Sequence, residues 1–167
     1  LNKEAEAETF FEDQAQIIEE LKDFENTGKT VAIFYMNTNG VAVVRKPSDY
    51  MAKMVEIAGA KYAFFDVTDD STGTTMDMTM EEFYSVAVDA DYLIYNASID
   101  SSVTNMDALL AKSELFADFK AIKDGNVWTT GKSLYQATDI VGQLIRDVNL
   151  MITDGDESDM TFLTRLQ

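Results

Sequence analysis

The segment TMEEFYSVAVDADYLIYNAS, residues 79–98, gives the clearest indication of the fold class. Thr79 can cap a helix, and Glu82, three residues later, can complete a capping box. The apolar residues that follow have the spacing of one buried helical face: Met80, Phe83, Tyr84, Ala87 and Val88. Residues 89–91 break this pattern, and residues 92–95 form an apolar run that is long enough for a buried strand. This order of helix, tight turn and strand predicts half of a βαβ unit.

The polar residues that follow the predicted strand indicate where a binding site lies. Ligands of open α/β sheets bind beyond the carboxyl ends of the strands. Asn96 and Ser98 come directly after residues 92–95, so we expect them on the functional edge of the sheet. Glu81 is expected at the same edge, because a helix that runs antiparallel to the strands begins there.

The remaining segments also alternate between helical and strand-like patterns. Helices are predicted over residues 5–25, from Pro47 to a C-cap at Gly59, and over residues 106–119 and 134–152. Strands are predicted over residues 30–36 and 61–67, with a short last strand that ends at Trp128, a residue expected in the core. Residues 41–44 are either a short strand or an extended cover over the preceding loop, and residues 68–77 and 101–105 are polar loops.

The alternation predicts an α/β fold: a three-layer αβα, Rossmann-like domain with a central, mainly parallel sheet. After the last helix, residues 153–159 form an acidic tail, and Phe162, Leu163 and Leu166 can pack back onto the body. The chain of 167 residues shows no internal repeat and no second domain.

The composition excludes several classes of function. The formal net charge is −17, which argues against nucleic acid and anionic membranes as partners, since phosphate binding needs clustered Lys and Arg. The chain contains no Cys and no His, so Ser-His and Cys-His nucleophile pairs and the usual zinc sites are impossible. It has neither a GxGxxG nor a Walker A motif. We therefore predict no catalytic residue and no metal site.

Four stretches resemble the carboxyl-terminal lobe of the ABC-transporter substrate-binding proteins that carry iron–siderophores, haem or cobalamin. The most specific is FKAIKDGNVW, residues 119–128. Residues 40–59 resemble that family's short strand, turn and helix, which end here in Ala58-Gly59-Ala60, and residues 79–94 and 134–152 resemble its later helix–strand segment and terminal helix. The chain departs from the family pattern at Ala90-Asp91, where Pro-Asp is usual.

The resemblance implies a domain organisation. Residues 1–28 would be the end of the long helix that links two lobes, and residues 29–167 would be the carboxyl-terminal α/β lobe with its acidic tail. The amino-terminal lobe of the same protein would be missing from this chain. The start inside a charged helix, LNKEAEAETFFEDQ, also suggests a piece of a longer protein.

The resemblance also implies a ligand site between the lobes, lined by the strand-end loops. This lobe would offer eight candidates: Tyr35, Asn37, Asn39, Arg45, Asn96, Ser98, Lys132 and Tyr135. Arg45 and Lys132 would bind an anionic chelate, or else they are solvated surface cations. Tyr35 and Tyr95 would either contact a flat ligand or cap the core.

Glu81 matches the family position where a glutamate pairs with an arginine of the membrane permease. A carboxylate at a helix N-terminus is also stabilised by the helix dipole whatever its function, so a purely structural role remains the alternative.

The resemblance implies that the chain functions as part of the substrate-binding component of an ABC importer. It would deliver a ferric siderophore, haem or cobalamin to a permease and its ATPase, with no catalysis and no resident cofactor. Its location would be extracytoplasmic, with a lipid anchor in the full-length protein. The alternative hypothesis is a Rossmann-like enzyme or sensor domain that acts on a small polar ligand.

Overall fold

The computed structural model describes residues 3–131 and 141–167, which form one seven-stranded sheet with helices on both faces. The strands are β1 Thr30–Met36, β2 Ala42–Arg45, β3 Lys61–Tyr62, β4 Thr75–Met78, β5 Tyr92–Tyr95, β6 Val127–Thr130 and β7 Leu163–Arg165. The α-helices are α1 Lys3–Leu21, α2 Tyr50–Ile57, α3 Met80–Ala87, α4 Met106–Leu110, α5 Lys120–Lys123 and α6 Val141–Ile152. Two short 3₁₀ helices cover Glu114–Asp118 and Glu157–Asp159.

The sheet has the order β4-β2-β1-β5-β6-β7, and β3 pairs with the beginning of β1. The central strands β1, β5 and β6 are parallel, whereas β2 and β7 run antiparallel to their neighbours. The predicted mainly parallel α/β fold is therefore confirmed. The predicted bounds of β1 and β5 agree with the observed ones, because both strands are apolar runs that are buried on both faces.

The two faces of the sheet are packed differently. On one face, the ring of Phe34 on β1 lies 4.6 Å from that of Phe83 on α3 and 5.6 Å from that of Phe116, between ring centroids. On the other face, Ile33 and Ile94 share an interior space with residues of α2 and α6, including Met54 and Leu144. Trp128 is buried in the core, as predicted. This packing on both faces produces the three layers.

The prediction of a strand over residues 61–67 was wrong beyond Tyr62. Strand β3 pairs only with Thr30 and Val31, because β2 occupies the same side of β1 from Phe34 onward. The chain therefore turns away, and Phe65 is 48% exposed. The predicted polar loop over residues 68–77 also contains a strand, β4, which pairs with β2. Residues 42–45 are a strand, which was the first of the two alternatives.

Other helix boundaries in the structure also differ from the predicted ones. Helix α1 ends at Leu21 rather than near residue 25, and α2 begins after an N-cap at Asp49, not at Pro47. The predicted helix over residues 106–119 divides into α4 and a 3₁₀ helix, because the side chain of Ser113 caps a new start by accepting a hydrogen bond from the Leu115 backbone nitrogen. Residues 134–140 of the predicted terminal helix lie outside the described residues.

The carboxyl-terminal tail joins the sheet as β7. Asp147 on α6 is completely buried, and its carboxylate accepts hydrogen bonds from the backbone nitrogens of Thr161, Phe162 and Leu163 at 2.6 to 3.1 Å. These bonds satisfy the buried charge and hold the segment against β6.

Candidate functional site

The strand register brings several loops to one edge of the sheet. Met36 at the end of β1 pairs with Ala42, which pairs with Met78 at the end of β4. Strand β5 ends at Tyr95, opposite Phe34. The loops after β1 and β5 and the beginning of α3 therefore lie at the carboxyl edge, as expected for an open α/β sheet.

A cleft of about 480 Å³ opens between the loops that follow β1 and β5. Its volume is within the range of small-molecule sites, roughly 300–1,000 Å³. The cleft is lined by Tyr35, Met36, Asn37, Thr38, Ile99, Asp100, Ser102 and Lys112. Aromatic and aliphatic side chains, neutral polar groups and one charge of each sign thus share a single surface.

Asp100 is the centre of a hydrogen-bond network beside this cleft. Its Oδ2 accepts hydrogen bonds from the Tyr95 hydroxyl at 2.6 Å and from Lys112 Nζ at 2.9 Å. Its Oδ1 accepts from the Ser102 backbone nitrogen at 3.0 Å. The Tyr95 hydroxyl also accepts from the Met36 backbone nitrogen at 3.1 Å, so the network joins β1, β5 and the loop after α4.

The network fixes the protonation states at the cleft. Desolvation acts to raise the pKa of Asp100, but the hydrogen bonds from Tyr95, Lys112 and Ser102 outweigh it and hold that pKa well below its usual range. Burial, together with the bond to Asp100, raises the pKa of Tyr95. At neutral pH the carboxylate is therefore charged, and the phenol stays protonated and donates to it.

Two of the predicted ligand-binding residues, Tyr35 and Asn37, meet in the cleft. Tyr35 is half-buried and forms part of the wall. The Oδ1 atom of Asn37 accepts hydrogen bonds from the backbone nitrogens of Asn39 and Val41, at 2.9 and 3.1 Å, so it shapes the loop. Asn39 is exposed in that loop and does not line the cleft.

Asn96 holds the exit of β5 in place. It is 4% exposed, its backbone nitrogen donates to the Phe34 carbonyl at 2.8 Å, and its Oδ1 accepts hydrogen bonds from the hydroxyls of Ser98 and Thr130. Asn96 and Ser98 therefore lie together at the predicted edge, but neither lines the cleft. In the structure they support the loop that carries Asp100.

The structure does not bring Arg45 to the cleft. Strand β2 begins at this edge with Ala42 and ends with Arg45, which pairs with Thr75 away from the edge. The Nη1 atom of Arg45 lies 3.7 Å from Asp49 Oδ2 and 3.4 Å from Thr74 Oγ1. Lys132 and Tyr135, the other two candidates from the sequence, lie outside the described residues.

Sequence reasoning missed Asp100, Ser102 and Lys112 as cleft residues. Lys112 was placed within the mostly helical segment 106–119, whereas it lies in the break between α4 and the 3₁₀ helix. The available signal was Ser113, a favourable capping residue immediately after the lysine.

Glu81 lies where the sequence placed it, in the first turn of α3 at the carboxyl edge. Glu82 completes the capping box: its carboxylate accepts from the Thr79 backbone nitrogen at 2.8 Å, and Thr79 Oγ1 accepts from the Glu82 nitrogen at 3.2 Å. Glu81 is exposed, and within the described part of the chain its carboxylate pairs with no other side chain.

Among the side chains that the structure describes, which exclude residues 1–7, 10 and 132–140, no group of three or more acidic residues is placed to hold a metal ion. In the same residues, no helix combines the length and the apolar character that crossing a membrane requires.

Comparison with known proteins gives matches in structure but not in sequence. No protein-family model and no curated protein matches the chain. Among solved structures, an ABC transporter substrate-binding protein from Listeria monocytogenes EGD-e has a TM-score of 0.65 and 17% identity, over 88% of this chain and 57% of the other. The triscatecholate siderophore-binding protein FeuA from Bacillus subtilis, complexed with ferri-bacillibactin, has a TM-score of 0.67 and 17% identity, over 92% of this chain and 56% of FeuA.

A third match is the periplasmic haem-binding protein HutB of Vibrio cholerae, with a TM-score of 0.64 and 15% identity, over 84% of this chain and 54% of that protein. The chain thus spans about half the length of these proteins. It has the fold of one part of an ABC-transporter substrate-binding protein of the siderophore and haem type.

Proposed function

We propose that this chain is one lobe of the substrate-binding component of an ABC importer for a metal chelate. The ligand would be a ferric siderophore, haem or a related complex such as cobalamin. The observation that supports this function is the cleft of about 480 Å³ at the carboxyl edge of a lobe that shares its fold with such proteins.

The side chains of the cleft are suited to binding rather than to catalysis. Tyr35 and Ile99 offer contact area to a flat or apolar ligand surface, and the hydroxyl of Ser102 and the ammonium of Lys112 offer hydrogen-bond donors. A second lobe of the same protein would close the other side of the ligand. This chain alone would then bind weakly, because half of the contacts are absent.

The partners would be a membrane permease, its ATPase and the missing amino-terminal lobe. Glu81 would pair with an arginine of the permease, since it is an exposed carboxylate at the same edge as the cleft and takes no part in the capping box. The location would be extracytoplasmic, with a lipid anchor on the full-length protein.

Calorimetric titration of the full-length protein with a ferric siderophore, haem and cobalamin tests the ligand class. We expect at least one of them to bind, and Tyr35→Ala to weaken its affinity at least fivefold. Tyr50→Ala is the matched control, because Tyr50 is a tyrosine on α2 that is 52% exposed and does not line the cleft. If a correctly folded protein binds none of the three, the alternative of an enzyme or sensor domain is favoured.

An uptake assay in cells that carry the whole transporter tests the docking role. Glu81→Ala should leave ligand affinity unchanged and reduce uptake. Glu56→Ala, which removes an exposed glutamate on α2, is the matched control and should have no effect. Normal uptake with Glu81→Ala would contradict the docking role and leave the binding function unaffected.

A further inference from the structure

Among the residues that the structure describes, two charged groups line the cleft, and they neutralise each other. Asp100 and Lys112 form an ion pair of 2.9 Å, with side chains 20% and 28% exposed. The remaining lining residues are apolar or neutral: Tyr35, Met36, Asn37, Thr38, Ile99 and Ser102. The part of this wall that the described residues form therefore has no net charge.

The pair is built into the fold. The Tyr95 hydroxyl and the Ser102 backbone nitrogen both donate to the Asp100 carboxylate, and Tyr95 is itself anchored to the backbone of β1 at Met36. Moving Asp100 away from Lys112 would break bonds to a buried tyrosine of the central sheet. An incoming anion would thus have to compete with a held carboxylate for the lysine.

We propose that this wall selects a metal chelate of little or no net charge in preference to a polyanionic one. This inference depends on the proposed function. A neutral chelate with carbonyl-type oxygens can accept a hydrogen bond from Lys112, whose ammonium has three donors, while Asp100 keeps its own bond. A polyanion would instead lie close to the Asp100 carboxylate, on a chain whose formal charge is −17.

Two ferric complexes separate these cases. A ferric trihydroxamate is neutral, because three monoanionic groups balance Fe³⁺, whereas a ferric triscatecholate carries three negative charges. In calorimetric titrations of the full-length protein, we expect the trihydroxamate to bind at least tenfold more tightly. Added NaCl should strengthen triscatecholate binding and leave trihydroxamate binding nearly unchanged, since salt screens the repulsion.

Variants of Asp100 and Lys112 test whether this ion pair causes the preference for the neutral chelate. Asp100→Asn should shift the affinity ratio at least fivefold toward the triscatecholate, because it removes the competing charge. Asp107→Asn is the matched control: it removes one exposed aspartate on α4, outside the cleft lining, and should leave the ratio unchanged. Lys112→Gln should weaken the trihydroxamate at least fivefold.

The outcomes distinguish the two proposals. Tighter binding of the triscatecholate by the parent protein, or an unchanged ratio in folded Asp100→Asn, would overturn the charge preference and leave the binding function intact. Binding of neither complex, nor of haem or cobalamin, would overturn the proposed function itself. If Asp100→Asn does not fold, the salt dependence of triscatecholate binding to the parent protein still tests the charge preference. Weaker binding at higher salt would contradict the inference.

Discussion

The side chain of Gln14 on α1 accepts a hydrogen bond from the backbone nitrogen of Gln143 on α6, at 3.1 Å between Oε1 and N. The two residues are far apart in the sequence, so this bond attaches the first helix to the body of the domain. Gly142 lies at the same contact, and a Cβ atom added there would come within 2.8 Å of the Gln14 carbonyl oxygen. The two helices are therefore in direct backbone contact at this point.

Gly142→Ala should reduce the free energy of unfolding by about 1–3 kcal/mol, because the new methyl group meets a backbone atom that cannot rotate away. Urea denaturation measures the loss. Gln143→Ala is the matched control, since it keeps the backbone donor and adds no atom to the contact. An unchanged unfolding midpoint for Gly142→Ala would show that α1 is not packed on α6 as described.

Asp147→Asn should loosen the carboxyl-terminal tail. The substitution replaces one oxygen of a buried carboxylate with an amide group, which cannot accept from the backbone nitrogens of Thr161, Phe162 and Leu163 as the carboxylate does. A loss of about 1–3 kcal/mol is expected. Urea denaturation measures it, and limited proteolysis should show faster cleavage after residue 153.

The exposed Asp159 provides the control for this change, because it carries the same charge on the tail. Asp159→Asn should leave both measurements as in the parent protein. Equal protease resistance of the Asp147→Asn and Asp159→Asn variants would show that the carboxylate does not hold β7.

Thr79→Ala should cost about 1 kcal/mol of stability, because it removes the side chain that caps α3. Glu81→Ala should change stability by less than about 0.5 kcal/mol, since surface substitutions away from special contacts usually do. Thermal unfolding of the two variants gives the comparison. A larger loss for Glu81→Ala than for Thr79→Ala would mean that Glu81, not Thr79, stabilises the beginning of the helix.

The stability contributed by Asp91 should disappear in acid. Desolvation acts to raise the pKa of Asp91, but hydrogen bonds from Lys120 and Thr30 outweigh it and lower that pKa below its ordinary value. A lowered pKa in the folded state means that the contribution is complete above the unfolded value, about 3.9, and is lost as the pH falls through the folded value.

Asp91→Asn should therefore be less stable than the parent protein at pH 7, and the two unfolding curves should converge as the pH drops below about 4. Denaturation at a series of pH values tests this. A stability difference that stays constant down to the acid limit would show that Asp91 is not held as a charged acceptor for Thr30 and Lys120.

The parts of the fold that could be predicted depend on local patterns. The capping box at Thr79 and Glu82 involves neighbours three residues apart, and the strands β1 and β5 are continuous apolar runs. The short β3 and the strand β4 could not be predicted in this way. β2 and β3 compete to pair with the same side of β1. The outcome depends on both strands, so it cannot be predicted from the pattern of one segment.

The candidate site also contains residues that could be predicted from the sequence and residues that could not. Tyr35 and Asn37 are candidates that the family resemblance implied; both lie at the carboxyl end of a parallel strand, and the structure puts both in the cleft. Arg45 does not follow that rule, because β2 is antiparallel and carries its last residue away from the edge. Lys112 reaches the cleft only because the helix breaks before Ser113.

Three properties follow from the sequence without a structure: the alternation of helices and strands, the edge where the loops gather and the exclusion of nucleophile chemistry that needs His or Cys. These properties depend on residue type and on spacings of two to four residues. Only folding of the whole domain brings Asp100, Lys112 and Tyr95 into one network beside Tyr35. Such contacts depend on strand register and on where each helix ends, which are fixed only when the whole sheet has paired and packed.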